Sequence, residues 1–420
     1  MDTNLRVNAK RLSNKISELA KIGALPGGGV SRLALTFDDQ QGRNLVLNWM
    51  KELGLSITID GIGNVVATKK GKYNMPPVMM GSHIDTVTVA GPYDGCLGVL
   101  AGLEVIETLN ELNIETDMPL AVAFFTNEEG SRFQPDMMGS LVYTGELPLK
   151  KALATFGIYK SNVEDSLNRI GYNGSAPCGT PNVAAFFELH IEQGPVLERE
   201  GYTIGVVESV QGISWTEITL EGKSCHAGYY PMDLRNDAGF VCGQITQYAR
   251  IIAKEIGGNQ VATVGHIEYH PNLVNVAPDK VVMTVDMRNP NEEELQEAEN
   301  KLDSYLVKVC RDEGIKLSTK KLARFQPTFF NKEKVNLVEE KAKELGYKSR
   351  RLHSTAGHDA QILSKVCPTA MIFIPCVDGI SHNINEYAYE QDIEAGANVL
   401  LNVVLESAKV KSSDLQEMSV

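Results

Sequence analysis

The amino-acid sequence predicts an α/β protein in which one domain is inserted into another. Two stretches that alternate helical and strand periodicity flank a middle stretch, about 213–325, with a different order of elements. The chain has 420 residues, which at ~150 residues per domain allows two or three domains. We therefore expect a discontinuous main domain, residues 1–210 plus 328–420, and an inserted domain, residues 211–327.

The flanking stretches supply the elements of the main domain. Apolar residues recur at helical spacing in the predicted helices, and they run unbroken through much of LAVAFFT at 120–126, as in a strand buried on both faces. Before the insertion we expect helices at 8–22, 42–53 and 99–112, and strands at about 55–68, 77–83, 120–126 and 183–191. After it we expect helices at 332–345, 358–365 and 391–409, and strands near 348–352 and at 369–374.

The middle stretch follows the order β-α-β-β-α-β. Ser214–Leu220 alternates like a half-buried strand, and Glu292–Glu313 repeats apolar residues at helical spacing. The other predicted elements are a helix at 236–256 and strands at 261–269, 280–288 and 316–322. This order predicts a ferredoxin-like α+β domain.

The composition disfavours nucleic acid and membranes as partners. Forty basic and 53 acidic residues give a net charge of −13, which repels phosphate backbones and anionic lipids. No run approaches the ~20 apolar residues of a membrane helix, and the first residues lack the apolar core of a signal peptide. The seven cysteines are widely spaced and include no C-x-x-C pair, so we expect reduced thiols and a cytoplasmic protein.

Histidines and carboxylates follow the ends of four predicted strands. They are His83 with Asp85, Glu128 with Glu129, His190 with Glu192, and His382, while Asp94 lies in the loop before the helix at 99–112. Because the carboxyl ends of parallel strands meet at one edge of an α/β sheet, we expect these side chains to converge. Imidazole and carboxylate ligands without cysteine suit a first-row divalent metal. The number of ligands suggests two metals that share a carboxylate, with a spare glutamate as general base.

Each of these residues also has a purely structural explanation. A single histidine near a strand end is more often a polar residue with satisfied hydrogen bonds than a ligand. Asp94 could cap the following helix, and Glu128 with Glu129 could begin a helix, where the dipole favours acidic residues. The coincidence of several such sites at one predicted sheet edge favours the metal interpretation.

Eight segments, in this order, resemble the hydantoinase/carbamoylase group of the M20 metallopeptidase-like amidohydrolases. They are GSHIDTV (81–87), GPYDGCLGVLAGLEV (91–105), TNEEGSRF (126–133), ELHIEQGPVLE (188–198), KSCHAG (223–228), NLVNVAP (272–278), AGHDAQI (356–362) and GISHN (379–383). The resemblance extends from about residue 10 to 408. It implies an α/β, mixed-sheet, di-metal aminopeptidase-like catalytic domain, with the ferredoxin-like insertion as a lid and dimerisation domain.

The resemblance implies a role for each residue of the predicted metal site. The implied ligands of two divalent ions are His83, Asp94, Glu129, His190 and His382, with Asp94 as the bridge. Glu128 is the implied general base, and Asp85 is the implied carboxylate that orients His83. Zinc, manganese, cobalt and nickel all suit such ligands. The motif HIEQG resembles the carbamoylase branch, because many related peptidases carry a carboxylate where this chain has His190.

The resemblance also implies a substrate site. Its residues would be Gln211, His226, Asn275 and Arg288 of the inserted domain, and Gly357 and His358 of the main domain. The guanidinium of Arg288 can hold a substrate carboxylate in a bidentate pair, and His226 can donate to a developing oxyanion as a catalytic group. In this family that histidine reaches the site of the partner subunit, which implies a homodimer formed through the inserted domain.

The expected activity is metal-dependent hydrolysis of a linear amide in a small ureido or N-carbamoyl carboxylate. For an N-carbamoyl-L-amino acid, the products are the amino acid, ammonia and carbon dioxide. Thr126-Asn127 ahead of the two glutamates, together with Trp215 and Gly222, resemble the amino-acid carbamoylases. Allantoate amidohydrolase is the main alternative, with ureidoglycolate-type substrates beside it. A β-ureidopropionase or an M20-type peptidase or aminoacylase is less favoured.

Overall fold

The protein, seen in a computed structural model that describes residues 5–179 and 182–409, divides into two compact units. Unit 1 comprises Met1–Glu208 and Phe330–Val420, and unit 2 comprises Ser209–Phe329. Unit 1 contains a large mixed sheet and unit 2 a smaller antiparallel one, so the predicted α/β class is confirmed. Among the described residues, no helix is long and apolar enough to cross a membrane.

The described residues form twelve α-helices and fifteen strands. The helices are α1 (Ala9–Ala20), α2 (Phe37–Glu52), α3 (Cys96–Glu111), α4 (Met138–Thr144), α5 (Leu149–Leu153), α6 (Val163–Ile170), α7 (Val196–Glu200), α8 (Ala238–Ile256), α9 (Glu292–Asp312), α10 (Lys332–Glu344), α11 (Asp359–Leu363) and α12 (Glu390–Ser407). The strands are β1 (Ser56–Ile59), β2 (Val65–Lys69), β3 (Val78–His83), β4 (Leu120–Phe125), β5 (Ala185–Ile191), β6 (Ile204–Val210), β7 (Gly212–Glu221), β8 (Cys225–His226), β9 (Val261–His270), β10 (Val276–Ala277), β11 (Lys280–Asn289), β12 (Lys316–Phe325), β13 (Thr328–Phe329), β14 (Ser349–Ser354) and β15 (Thr369–Ile374). The predicted elements are present except that the strand expected at about 55–68 is two antiparallel strands, β1 and β2. The elements α4 to α7 and β6, β8, β10 and β13 were not predicted.

The sheet of unit 1 has a parallel centre. Its strand order is β1-β2-β4-β3-β5-β15-β6, and β14 also pairs with β6. The four central strands β4, β3, β5 and β15 run parallel to one another, whereas β2 and β6 are antiparallel to their neighbours. Every residue of these four central strands is buried, as the apolar runs predict. Their carboxyl ends therefore lie along one edge of the sheet.

Helix α3 packs closely against this centre, next to β3 and β5. Its residues are almost all buried, because both its apolar stripe and its glycines face other elements. A Cβ on Gly98 would lie 2.6 Å from the carbonyl oxygen of Leu189 in β5. A glycine at this position therefore lets the first turn of α3 approach the sheet edge.

Unit 2 has the predicted β-α-β-β-α-β order. Strands β12, β7, β11 and β9 form an antiparallel sheet in that spatial order. Alternate residues of β7 and β11, such as Ile218 and Met283, are buried in one core with the apolar sides of α8 and α9. Tyr248 of α8 stacks on Tyr305 of α9 with ring centroids 3.8 Å apart. Its assignment as a lid and dimerisation domain stays a prediction.

Candidate metal centre

The residues predicted to bind metal converge at the carboxyl edge of the parallel strands. His83 is the last residue of β3, His190 is the penultimate residue of β5, and Glu128 and Glu129 follow β4. His382 lies in the loop after β15, and Asp94 lies two residues before α3. The topology thus brings five separate segments of unit 1 to one place, as expected for ligand sites in α/β sheets.

The carboxylate of Asp94 lies at the centre of this cluster. Its Oδ1 is 3.2 Å from Nε2 of His190 and 3.6 Å from Nε2 of His83. Its Oδ2 is 3.1 Å from Nε2 of His382, which is also 3.3 Å from Oε2 of Glu129. Two of the groups with metal-ligand spacing contain the carboxylate of Asp94: His83, Asp94 and His190 form one, and Asp94, Glu129 and His382 form the other.

Main-chain carbonyls orient the two buried imidazoles. Nδ1 of His83 is 2.9 Å from the carbonyl oxygen of Asp85, and Nδ1 of His190 is 2.9 Å from that of Ile191. Because a carbonyl can only accept, each Nδ1 carries a proton, which leaves Nε2 as the nitrogen that faces Asp94 and that binds a metal once it is deprotonated. This is the tautomer that a metal-binding imidazole needs.

The prediction that the carboxylate of Asp85 orients His83 is wrong about which atom of Asp85 makes the contact. The contact with the imidazole comes from the main chain of Asp85, because its carboxylate is engaged elsewhere. That carboxylate accepts hydrogen bonds from the backbone N–H groups of Glu128, at 3.3 Å, and Glu129, at 3.4 Å. Asp85 therefore fixes the loop that carries both glutamates, and its side chain acts on a different part of the site.

The structural alternatives for the acidic residues do not hold. The residue that caps α3 is Gly95, and no side chain caps this helix, so Asp94 is not its N-cap. Helix α4 begins at Met138, so Glu128 and Glu129 are not in the first turn of a helix. Both explanations that would have removed these carboxylates from a functional site are therefore excluded.

Gly95 makes room for His83. Its φ is +67°, in the left-handed region that side chains other than glycine rarely adopt. A Cβ at this position would lie 2.4 Å from Cε1 and Nε2 of His83. The glycine after Asp94 is therefore required twice, by the backbone turn and by the imidazole beside it.

The cluster is buried and strongly coupled electrostatically. Burial opposes ionisation of Asp94, but hydrogen bonds from His190, His382 and His83 outweigh it and hold the pKa of Asp94 well below its usual range. The hydrogen bond with Asp94 raises the pKa of His382 to about 9. Burial, followed by the charge of Asp94, raises the pKa of Glu129 to about 8. Burial also raises the pKa of Glu128 well above its usual range.

The donor set fits divalent metal ions. Three imidazole nitrogens and several carboxylate oxygens suit zinc and its neighbours, which prefer borderline nitrogen and hard oxygen ligands. Oε1 of Glu129 is buried and has no hydrogen-bond partner among the described residues, which is costly for a carboxylate oxygen unless a cation satisfies it. The raised pKa values of Glu129 and His382 show that protons otherwise compensate the crowded charges.

Three polar residues around Asp94 were not predicted. Nε2 of Gln193 donates to Oδ2 of Asp94 at 2.8 Å, and Oγ of Ser381 donates to the same oxygen at 2.9 Å. Oε1 of Glu386 accepts hydrogen bonds from the backbone N–H groups of Tyr93 and Asp94. Gln193 lies within the motif HIEQG and Ser381 within the motif GISHN, so both are close in sequence to predicted ligands. Nothing in the sequence marks Glu386 as a residue that contacts the loop at Asp94.

His358 lies beside the cluster, as the substrate-site prediction requires. Its ring packs edge to face on His190 with centroids 4.7 Å apart, and its Nε2 is 2.9 Å from Oγ of Ser354. Burial and the neighbouring His190 hold the pKa of His358 well below its usual range, so the imidazole is neutral. Gly357 precedes it, where an added Cβ would meet the side chain of Met137 at 3.1 Å.

In unit 2, His226 and Asn275 are close to one another. Strands β8 and β10 pair so that His226 faces Val276, and the N–H of Ala227 donates to the carbonyl of Asn275 at 3.0 Å. Nδ1 of His226 accepts from the N–H groups of Gly228 and Tyr229, so the proton lies on Nε2 of an exposed ring. The imidazole therefore presents a hydrogen-bond donor to its surroundings.

The other two predicted substrate residues of unit 2 lie on its larger strands. Nε and Nη2 of Arg288 form a fork on the carboxylate of Asp286, with distances of 2.9–3.1 Å. The same guanidinium lies over the ring of Trp215, 5.9 Å from its centroid. Gln211 is almost fully buried at the start of the unit.

Residues 79–406 match a known family, Peptidase family M20/M25/M40. The chain belongs to this family. The resemblance noted in the motifs is thereby confirmed, and it extends over both units.

This M20 family member has full-length relatives of known name. It is 42% identical over 408 residues to the N-carbamoyl-L-amino-acid amidohydrolase of Rhizobium meliloti, which covers 97% of this chain and 98% of the relative. It is 32% identical over 410 residues to the ureidoglycolate hydrolase of Arabidopsis thaliana, with 95% and 86% covered. Among solved structures, a hydantoinase/carbamoylase family amidase from Burkholderia multivorans shares 44% identity and a TM-score of 0.94, with 96% and 99% covered.

Proposed function

We propose that this M20 family member hydrolyses N-carbamoyl-L-amino acids to the amino acid, ammonia and carbon dioxide. The observation that carries the proposal is the 42% identity with an N-carbamoyl-L-amino-acid amidohydrolase across nearly the whole of both chains. The cluster around Asp94 supports it, because hydrolysis of an unactivated ureido group needs strong electrophilic assistance.

Two divalent metal ions would share the carboxylate of Asp94. His83 and His190 would complete one set of protein ligands, and Glu129 and His382 would complete the other. When bound, such ions act as Lewis acids on a carbonyl oxygen and lower the pKa of a coordinated water. The ion could be zinc, manganese, cobalt or nickel, since all accept these ligands.

Glu128 would move the proton during hydrolysis. Its Oε2 lies 3.3 Å from Nε2 of His83, which is a potential ligand. Glu128 itself belongs to neither of the two ligand groups that contain Asp94. Burial raises the pKa of Glu128, so its carboxylate is a stronger base than an exposed one. This suits a group that accepts a proton from the attacking water and then donates it to the leaving nitrogen. The reaction balances, because one water supplies one oxygen of carbon dioxide and the two hydrogens gained by the nitrogens, and the ureido carbonyl supplies the other oxygen.

Unit 2 would bind the substrate. The exposed Nε2–H of His226 can donate to the oxygen on which negative charge develops. Asn275 directly precedes β10, the strand that pairs with the strand of His226. Arg288 can hold the substrate carboxylate through its planar fork. Because Asp286 already occupies two guanidinium nitrogens, the substrate carboxylate would share Arg288 with Asp286, which limits its affinity and allows product release.

Substrate identity is tested by ammonia release from metal-stripped protein before and after reloading with manganese or zinc. The panel is N-carbamoyl-L-methionine, N-carbamoyl-β-alanine, allantoate and ureidoglycolate. A dipeptide is the control, and its cleavage is measured as release of amine. We expect no turnover by the stripped protein and the highest kcat/KM on N-carbamoyl-L-methionine after reloading. Preference for ureidoglycolate or allantoate would contradict the proposed substrate, and dipeptide cleavage would contradict the reaction class.

Replacing Glu128 separates proton transfer from metal binding. We expect Glu128→Gln to lower kcat by ~10²–10⁴-fold, the usual effect of losing a general base, with unchanged metal content by elemental analysis. Glu129→Gln should instead reduce metal content, because Glu129 lies in a ligand group. Glu104→Gln, a change of a fully buried glutamate of α3, is the control for loss of a buried charge. Wild-type turnover by Glu128→Gln would show that Glu128 is not the base.

Arg288→Lys tests recognition of the substrate carboxylate. Lysine keeps the charge but not the fork, so we expect KM to rise ~10–100-fold while kcat changes little. Arg324→Lys is the matched control, since Arg324 is committed to ion pairs with Glu292 and Glu299 within the same unit. An unchanged KM in Arg288→Lys, or an equal rise in the control, would refute this role.

We also propose a homodimer in which His226 completes the site of the partner subunit. The exposure of His226 in the single chain and its outward donor support this arrangement. Two inactive variants, His226→Ala and Glu128→Gln, should regain activity when their chains are exchanged, because a mixed dimer contains one site with both residues. Demonstrated exchange without recovery would argue against a shared site.

A further inference from the structure

A buried carboxylate holds the main chain at Asp94. Glu386 is only 3% exposed. Its Oε1 accepts hydrogen bonds from the backbone N–H of Tyr93 at 3.0 Å and from that of Asp94 at 3.1 Å. Two consecutive peptide groups are therefore fixed by one oxygen, immediately at the residue whose carboxylate lies between the imidazoles.

Ser381 connects Glu386 with the carboxylate of Asp94. Its Oγ is 3.0 Å from Oε2 of Glu386 and 2.9 Å from Oδ2 of Asp94. A hydroxyl has one proton, so it donates to one carboxylate at a time and keeps the two side chains at a defined distance. Both Ser381 and Glu386 belong to the same loop as His382, which contacts the same Oδ2 at 3.1 Å.

Packing also ties the loop at 91–95 to the segment that begins at Glu386. A Cβ on Gly91 would lie 2.3 Å from Cβ of Glu386, so only glycine allows this approach. The ring of Tyr93 meets the ring of Tyr387 edge to face, with centroids 6.0 Å apart. The contact is thus a close and specific one, and it positions the backbone before α3.

The side chain of Glu386 hydrogen-bonds with the loop at Asp94 and with Ser381 rather than with a charged partner. Among the residues that the structure describes, no lysine or arginine forms an ion pair with Glu386, and Ser381 links its carboxylate to that of Asp94, which has the same sign. Burying one carboxylate beside another costs free energy. Such a residue is expected where the orientation of a neighbouring group matters more than local stability.

We propose that Glu386 is a positioning residue that aims both oxygens of Asp94 at the imidazoles and thereby sets the affinity of the centre for divalent metal. This inference rests on the proposed function, because it takes Asp94 as the bridging ligand. Glu386 itself touches neither substrate nor metal. Its removal should therefore change metal affinity and leave the chemical step of the fully loaded protein nearly unchanged.

The test compares Glu386→Ala and Glu386→Gln in the full chain. Metal affinity is measured by competition of manganese and zinc with a chromogenic chelator, without substrate, and kcat is measured at saturating metal. We expect Glu386→Ala to bind metal ~10–100-fold more weakly, the usual effect of losing a partner that orients a ligand. Glu386→Gln should bind like the parent, because its Oε1 can accept from both N–H groups and its Nε2 can donate to Ser381.

A second pair of variants excludes a general loss of stability. Glu104→Ala removes another fully buried carboxylate, one that accepts from the backbone N–H of Asn8 and lies away from the cluster. It should lower Tm without changing metal affinity. If Glu386→Ala does not fold, Glu386→Asp serves instead, because it keeps the charge but is too short to reach both N–H groups, and it should also weaken metal binding.

Three results would overturn the inference. They are parental metal affinity in the folded Glu386→Ala or Glu386→Asp protein, an equal loss of affinity in Glu104→Ala, and a loss in Glu386→Gln as large as in Glu386→Ala. Each is read without substrate, so it is distinguishable from failure of the proposed function, in which the parent binds metal but turns over no N-carbamoyl-L-amino acid.

Discussion

The carboxylate of Asp94, placed between three imidazoles, is the interaction on which the arrangement of this site depends. Both of its oxygens are committed, Oδ1 towards His83 and His190 and Oδ2 towards His382. His83 and His190 lie at the ends of two strands and His382 lies in the loop after a third, so their imidazoles can meet only if those strands end at the same level. The parallel centre of the sheet provides this condition, and the mixed edges of the sheet lie outside it.

Holding a carboxylate there has a local cost that the surrounding structure must offset. Asp94 is 2% exposed, and two further carboxylates lie within reach of the same imidazoles. His382 adopts φ +53°, a left-handed conformation that is unfavourable for histidine and that brings its ring to the edge of the cluster. Hydrogen bonds from Gln193 and Ser381 to Asp94 offset part of the desolvation. Local rules of stability are broken at this site, as is typical where binding requires it.

The sequence predicted the elements that carry the cluster because their signals are local. The run LAVAFFT is apolar enough to specify a buried strand, and the histidine and acidic residues follow such runs directly. The same holds for unit 2, where the apolar residues Val281, Met283, Val285 and Met287 of β11 alternate with less buried ones, whereas in β7 the polar Ser214 and Thr216 are buried and Trp215 is exposed. The helices α4 to α7 have only five to eight residues, and α4, α5 and α7 begin without a side-chain cap, so their local signals are weak.

The parts of the site that were not predicted depend on contacts distant in sequence or made by the main chain. Glu386 reaches the peptide groups of Tyr93 and Asp94 across 292 or more positions, and no periodicity or motif encodes that pairing. The role of Asp85 was misjudged for the second reason. A carbonyl oxygen can orient an imidazole as well as a carboxylate does, and every residue has a carbonyl, so the sequence cannot distinguish the two routes.

For the proposed hydrolysis, the balance of charge is an argument for two divalent ions. Asp94, Glu128 and Glu129 carry three negative charges when ionised, and the imidazoles must be neutral to offer their Nε2 lone pairs. One divalent ion would leave a net negative charge in a buried site where, in the proposed reaction, further negative charge develops on an oxygen. Two divalent ions leave one positive charge, which stabilises that oxygen instead. The pKa values of His382 and Glu129 are raised to about 9 and about 8, so protons on these groups offset the same negative charge. Metal binding would displace these protons.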